Sequence, residues 1–330
     1  MSKDVIESGN VRLFRNGQSL TSGNSKKSKA QKTLELMKKN YALYLFLLPA
    51  VLYIALFHYG PLYGLLIAFK NFSPTKGIWG SSWVGFKWFK LFFESPKFWE
   101  LIKNTVILSL YGLVAGFPIP IILALILNYV NNLKFKRIAQ TISYMPYFIS
   151  VVVVVGMMSA FFSPQSGFVN TIVKAFGSKP IYFMGESGMF RHLYVWSGVW
   201  QSAGWGSIIY ISALSSVSPE LHEAAIIDGA NKLKRIWHID IPTIMPTMVI
   251  LLILNCGSIM NVGYEKTFLM QNNLTINVSE VISTYTYKVG LLQSEYGYST
   301  AIGLFNNVIN FIVLVVVNKL ARKLSGSSLW

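Results

Sequence analysis

Residues 41–69 read YALYLFLLPAVLYIALFHYGPLYGLLIAF, 29 positions without an Asp, Glu, Lys or Arg. A hydrocarbon core takes roughly 20 helical residues to cross, and a helix apolar on every face lies in lipid or deep inside a large protein. The rest of the chain decides between the two. Of 330 residues, 53% are hydrophobic, 15% aromatic and only 13% charged, with a mean hydropathy of +0.46. A soluble domain carries roughly a quarter charged residues, so this chain has too few polar groups to cover so much apolar surface. Its one cysteine, Cys256, excludes a disulfide scaffold, and its composition excludes collagen and disorder. It reads as an integral membrane protein.

Five more apolar stretches follow, at about 104–130, 139–162, 192–216, 243–263 and 297–318. The expected fold is all-α, with six transmembrane helices. The first begins too far from the N-terminus, and lacks the small-residue cleavage site, to be a secretory signal, so it is expected to stay. The net charge of +16 is spread in short clusters, with nine of the 29 basic residues in the first 40 positions. Clusters between apolar runs set membrane topology; a nucleic-acid binder carries a continuous basic face. With a cytoplasmic N-terminus, segments 1–40, 131–138, 217–242 and 319–330 lie inside and hold 18 of the 29. Both termini are therefore expected to be cytoplasmic. Residues 1–40 read as a flexible basic tail, 41–323 as the six-helix domain with a cytoplasmic loop at 217–242, and 324–330 as a short tail. The outer segments, about 70–103, 163–191 and 264–296, carry Trp79, Trp83, Trp88 and Trp99 in the first. These read either as interfacial anchors or as a docking surface.

Between their ends the six spans contain no Asp, Glu, Lys or Arg. Ion-coupled transporters and proton pumps need intramembrane ionisable groups, and only His58 and His192 titrate here; a lone His reads as a packed residue. No Gly-Lys dipeptide exists to build a phosphate loop. His222–Glu223 begins like a zinc-protease helix, but Ile226 stands where the second His belongs, so no metal site forms. The chain is not expected to be an enzyme, and no catalytic residue is assigned.

Uncharged polar residues recur at helical spacing. Ser299, Gly303, Asn306 and Asn310 share one face of the last span, Ser197, Gln201, Gly204 and Ser212 one face of the fourth, and Asn255 and Ser258 stand three apart near the end of the fifth. One reading is interhelical hydrogen bonding and close packing. The other is a path for a neutral, hydroxyl-rich solute, lined by Trp196, Trp200, Gln201, Tyr210, Asn255, Ser258, Asn306 and Asn310, since sugars stack on rings and hydrogen-bond at their edges. Prolines at 49, 61, 118, 120 and 146 bend several spans.

The segment 218–246, SPELHEAAIIDGANKLKRIWHIDIPTIMP, reads as an elbow between two spans. Ser218 caps a helix opened by Pro219 and Glu220, Asp228–Gly229 breaks it, a short amphipathic helix runs from Asn231 to His238, and Pro242 marks the return to the membrane. Its acids outnumber its bases by one in a basic chain, which suits a lever for a soluble partner.

Glu223-Ala224-Ala225, Asp228-Gly229-Ala230, Ile239, Pro242 and Pro246, spaced EAA-x2-DGA-x8-I-x2-P-x3-P, resemble the EAA loop of binding-protein-dependent ABC importer permeases. LFLLPAVLYIALFHYGPLYGLLIAFK at 45–70, WVGFKWF at 83–89, FKRIAQTISYMPYFIS at 135–150, GWGSIIYISALS at 204–215 and YSTAIGLFNNVIN at 298–310 resemble the maltose-type carbohydrate group, particularly its polysaccharide and complex-oligosaccharide branch. The resemblance runs from about 41 to 323. It implies a multi-pass subunit of the bacterial cytoplasmic membrane, paired with a second homologous permease, two cytoplasmic ATPases and an extracytoplasmic solute-binding protein, and embedded in lipid. It also implies an oligosaccharide cargo, no nucleic acid, and no cofactor in this chain, since ATP and Mg belong to the ATPases. Glu223, Ala224, Ala225, Asp228, Gly229, Ala230, Ile236 and Pro242 would carry the coupling to the ATPase, Ile236 standing where the family often has an aromatic. The implied mechanism is alternating access driven by ATP binding and hydrolysis in those partners. The rivals are an ABC permease for another small solute, a stand-alone channel for neutral solutes, and an intramembrane enzyme, the last without an acid or metal cluster to support it.

Overall fold

The computed structural model describes residues 37–326, 328 and 329. Most of the basic tail expected at 1–40 lies outside the described residues. The chain divides into two compact units between Tyr63 and Gly64.

In the first unit, Tyr41–Ile54 is α-helical despite Pro49, and the helix widens by one residue per turn over Ala55–Tyr59. Every side chain here is exposed within the chain. His58, expected to be packed, is exposed as well, its ring 5.7 Å from that of Tyr53. The helix tightens over Gly60–Phe69.

In the second unit, helix Ser187–Leu214 lies at the centre, against Phe98–Gly116, Pro118–Asn128, Leu133–Tyr144 and Ile241–Gly257; the last of these packs along Tyr296–Ser325. Close approach explains the small residues of this central helix. A Cβ on Gly204 would overlap the Ser143 carbonyl, and one on Gly206 would press on Pro120 at 3.3 Å. Three apolar clusters fill the unit: one around Leu108, Val154, Phe190 and Val199, one around Phe92, Leu101, Ile282 and Ile302, and one around Ile121, Tyr210, Leu214 and Ile244.

Among the described residues four helices are long and apolar enough to cross a membrane: Tyr41–Phe69, Phe98–Asn128, Lys232–Gly257 and Tyr296–Lys323. Two of the six expected spans depart from that description. The third is broken: Leu133–Phe148 and Val151–Phe161 meet at 98°. Pro146 shortens the first arm into a tight turn at Met145–Phe148, and Ser150, extended at φ −63° and ψ 150°, restarts the helix by accepting from the Val153 N–H. The fourth, Ser187–Leu214, has the length, 28 residues, but not the apolarity. Its surroundings account for this, because a helix flanked by other helices need not dissolve in lipid on every face.

The segments between helices are built, not slack. Lys70–Asn71 pairs antiparallel with Ser82–Trp83, and the Trp88 indole donates to the Lys70 carbonyl at 2.9 Å. That buries Trp88, so of the four outer tryptophans it anchors the fold itself, while Trp79, Trp83 and Trp99 stay exposed. Asn170 ties residues 162–181 together through Phe162, Ser163 and Ile181. Asn104 donates to the carbonyls of Asn277 and Glu280, and Thr105 accepts from the Ile282 N–H, fastening the start of Phe98–Gly116 to the segment 276–282.

Candidate functional site

The elbow forms from its own local chemistry. Helix Pro219–Ile227 starts after Ser218, whose backbone is extended; the expected hydroxyl cap is absent, because the Ser218 carbonyl takes the Leu221 N–H instead. The helix ends in a left-handed turn at Gly229, φ +77°, with the Ala230 N–H on the Ala225 carbonyl at 2.8 Å and the Gly229 N–H on Ile226 at 3.0 Å. This six-to-one and short-bond pair closes a helix end only where a residue tolerates positive φ, which is why glycine is there. Asn231 then caps the next turn, its side chain accepting from the Lys234 N–H at 2.9 Å.

The second arm differs from the expected short helix ending before Pro242. Lys232–Arg235, a widened turn at Ile236–Asp240 and Ile241–Gly257 run on as one 26-residue helix. A proline inside a helix clashes with the carbonyl four residues back and lacks an N–H. The widened turn shifts the hydrogen-bond register just ahead of Pro242, so the helix passes it. Movement of the elbow's second arm is therefore movement of a membrane helix.

Around this elbow Leu221, Ile226, Ile227, Leu233 and Trp237 are exposed, Ile227 at 86%, and Glu223, Ala224, Asp228 and Gly229 lie on the surface beside them. Ala225 and Ala230 are half-buried, Pro242 is exposed, and Ile236 turns inward against the cluster of Ile121, Tyr210 and Ile244. Asp240 was legible only as one of the elbow's charges; it is fully buried beneath it, with the Tyr129 hydroxyl donating to Oδ2 at 2.7 Å.

The eight residues expected along a solute path separate into three groups. Tyr210, Asn255 and Ser258 border a cavity of about 450 Å³ whose wall also includes Gly112, Tyr147, Tyr194 and Trp205. The Tyr147 and Trp205 rings stack there, 4.7 Å apart and 6° from parallel. Trp196 and Trp200 border a second, apolar cavity of about 440 Å³ with Val154, Met158 and Phe161; the Trp196 indole donates to Tyr111, itself bonded to His192. Gln201, Asn306 and Asn310 are engaged within the chain. Gln201 donates to the Ile149 carbonyl at the broken span, and both asparagines donate to Asn261 Oδ1, at 2.9 and 3.0 Å. Asn310 Oδ1 also accepts from the Met260 N–H at 2.9 Å. These amides hold the irregular stretch after Gly257 in place, which is the interhelical reading of the polar stripe.

Two charges expected in outer loops are buried. Lys266 donates to the Tyr194 carbonyl at 2.8 Å and sits 4.8 Å from that ring's centroid, and burial pushes its ammonium down to about 8. Glu280 lies between Lys97 and Lys288, each at 2.9 Å. Sequence reasoning missed Asp240, Lys266 and Glu280 as buried groups, and Tyr147 and Trp205 as a stacked pair. The prolines and Ser150 were a visible signal for the break that brings Tyr147 to Trp205.

This arrangement of helices, broken span and exposed elbow is that of a transport permease. Residues 116–326 match the family described as binding-protein-dependent transport system inner membrane component, and the chain belongs to that family. It is 42% identical to Protein LplB of Bacillus subtilis (strain 168) over 89% of this chain and 92% of that one. It is 40% identical to the polygalacturonan/rhamnogalacturonan transport system permease protein YteP of the same organism, over 92% and 95%. A crystal structure of a bacterial ABC transporter involved in the import of the acidic polysaccharide alginate contains a chain with TM-score 0.83 and 37% identity, covering 89% of this chain and 99% of that one. A crystal structure of a bacterial alginate ABC transporter in complex with an alginate pentasaccharide-bound periplasmic protein gives 0.83 and 36%, over 90% and 100%. The chain is a membrane protein and a permease subunit of an ABC importer, a transporter component rather than an enzyme.

Proposed function

We propose that this chain carries oligosaccharides or polysaccharide fragments inward across the bacterial cytoplasmic membrane. It does so as half of a permease pair that receives cargo from an extracytoplasmic binding protein and energy from two cytoplasmic ATPases. The observation that carries the reading is the elbow: the family's EAA pattern occupies a surface whose apolar residues Leu221, Ile226, Ile227, Leu233 and Trp237 are exposed among the described residues. Exposed apolar patches of this kind mark interaction sites. The cargo class follows the relatives, one a permease for polygalacturonan and rhamnogalacturonan and one an importer of alginate. The cavity bordered by Tyr147, Trp205, Tyr210, Asn255 and Ser258 offers the mix of rings, amides and hydroxyls that such cargo requires.

In this reading there are six crossings: the four long apolar helices, the bent pair Leu133–Phe148 with Val151–Phe161, and the central Ser187–Leu214. Both termini and the elbow then lie in the cytoplasm, as the lysine and arginine bias requires. Glu223 and Asp228 meet polar groups of the ATPase cleft, Ala224 and Ala225 keep bulk out of it, and Gly229 with Ala230 sets the angle of the elbow. ATP and Mg act only in the partners.

The test is uptake by proteoliposomes holding the complex purified through this chain, with ATP inside and binding protein outside, offered labelled uronate and neutral oligosaccharides in turn. ATP-dependent accumulation of one of them is expected. Equilibration without ATP by the isolated chain would overturn the reading in favour of a facilitator.

A further inference from the structure

Asp240 is fully buried where the elbow's second arm becomes the membrane helix Ile241–Gly257. A buried carboxylate costs several kcal/mol unless paired, so what surrounds it is chosen by strong forces. Its Oδ2 accepts from the hydroxyl of Tyr129, the residue that ends the Pro118–Asn128 helix. Its Oδ1 lies 3.2 Å from Nε2 of His222, in the first arm of the elbow one residue before Glu223. The Arg235 guanidinium covers the Tyr129 ring at 5.4 Å, and the Tyr129 and His222 rings meet edge to face at 6.3 Å. Three separate elements therefore converge on one carboxylate: the elbow helix Pro219–Ile227, the inner end of Pro118–Asn128, and the root of Ile241–Gly257. Nε2 of His222 lies within ion-pair reach of Oδ1 without a hydrogen bond between them.

We propose that His222 is a positioning residue which, through Asp240, makes the elbow and the two membrane helices move as one body. This rests on the importer reading above. The reasoning is mechanical. The first arm of the elbow is joined to the second only through the turn at Asp228–Gly229, so a push on Pro219–Ile227 could be absorbed by that turn. The contact across the elbow, from His222 to Asp240, bypasses the turn and delivers the push to the root of one membrane helix and, through Tyr129, to the end of another. The cavity wall draws on these same helices or their continuations, at Pro120 and Asn255. His222 itself is 20% exposed, and when it is replaced the Tyr129 hydroxyl still donates to Asp240.

The experiment compares wild type, His222→Ala, His222→Gln and Tyr129→Phe in the assembled, reconstituted complex, measuring oligosaccharide taken up per ATP hydrolysed. His222→Ala is expected to keep its ATPase partners at the wild-type ratio and to hydrolyse ATP, while uptake per ATP falls about tenfold, equivalent to ~1.4 kcal/mol of coupling. His222→Gln, whose side-chain amide can still donate to Asp240, is expected to recover at least about a third of wild-type uptake per ATP. Tyr129→Phe, which leaves the elbow untouched, is expected to uncouple as well. Wild-type uptake per ATP in His222→Ala, or failure of Gln to do better than Ala, overturns the proposal. So does loss of the ATPase partners from His222→Ala, because His222 would then belong to the docking surface. A wild-type complex that accumulates nothing with ATP fails differently, by removing the importer reading itself.

Discussion

Lys97 Nζ stands 2.9 Å from Glu280 Oε2, across 183 residues of chain, while Lys288 Nζ holds the other carboxylate oxygen at 2.9 Å. Burial pushes the Glu280 carboxyl up, but the hydrogen bonds and charges of the two ammoniums outweigh it and leave the group below the usual carboxylate range; the bond to Glu280 in turn raises Lys97. The arrangement staples the start of Phe98–Gly116 to the segment ahead of the last helix.

The sign of the pH effect follows. A carboxylate with a depressed folded value stabilises fully above its unfolded value, about 4.3, and loses that contribution as pH falls through the folded value. Lys97 contributes below its unfolded value, about 10.4, and loses its share as pH rises through its folded one. Thermal unfolding in detergent is expected to show a midpoint that drops in wild type as pH falls below the unfolded carboxyl value, about 4.3. In Glu280→Gln the drop is expected to be smaller, from a stability already lowered by about 1–3 kcal/mol, because Lys288 loses its carboxylate and Lys97 keeps only Glu100.

Asn310 gives the second prediction. Its carbonyl oxygen accepts from the buried Met260 N–H and its amide donates to Asn261. Asn310→Ala leaves a buried backbone donor unpaired, worth about 1–3 kcal/mol, whereas Asn306→Ala removes a single bond to Asn261. The unfolding midpoint is expected to fall further for Asn310→Ala than for Asn306→Ala, with uptake per ATP unchanged in the molecules that remain folded. A larger effect of Asn306→Ala on cargo affinity would return that residue to the solute path.

What was legible in the sequence divides along physical lines. Twenty or more apolar residues in a row, as in 41–69, need only the composition of the whole chain to be read, because so few polar groups cannot cover them from water. The turn at Gly229 was equally plain, since Asp-Gly after a helical stretch has few other uses. The burial of Asp240 was not, because its partner Tyr129 lies 111 residues away and the widened turn that points it inward leaves no sequence mark. The polar stripe on the last span was visible, but Asn261, which takes both its amides, sits 45 and 49 residues earlier in a stretch without helical period. For the central helix, Trp, Gln, Ser and Gly lower the hydropathy where its neighbours are helices.

Gly229 gives the third prediction. Open space surrounds the position of a Cβ there, so only the backbone objects to a side chain, at φ +77°. Gly229→Ala is expected to cost roughly 1–2 kcal/mol in the left-handed conformation. Gly229→Asn is expected to cost less, since asparagine tolerates that region. ATPase recovered with the complex, and uptake with it, should rank wild type, Asn, Ala, with Gly229→Pro inactive; equal recovery for all four would show that the angle of the elbow is not what the partner reads.

The stacked pair Tyr147 and Trp205 gives the last. Trp205 projects from the central helix and Tyr147 from the tight turn of the broken span, so the cavity wall they share depends on the 98° bend. Ring–ring contact of this kind is worth about 0.5–1.5 kcal/mol beyond burial, which is the order of affinity a stacked sugar face would gain by inserting beside it. Trp205→Ala is expected to raise the cargo concentration for half-maximal uptake by about two- to tenfold while leaving ATP hydrolysed per molecule carried as in wild type, and Trp205→Phe is expected to lie between. Because the second cavity, with Trp196 and Trp200, is almost wholly apolar, Trp200→Ala serves as the contrast and is expected to leave the half-maximal concentration where it was. If Trp200→Ala moved it and Trp205→Ala did not, the path would run along the other face of the Ser187–Leu214 helix.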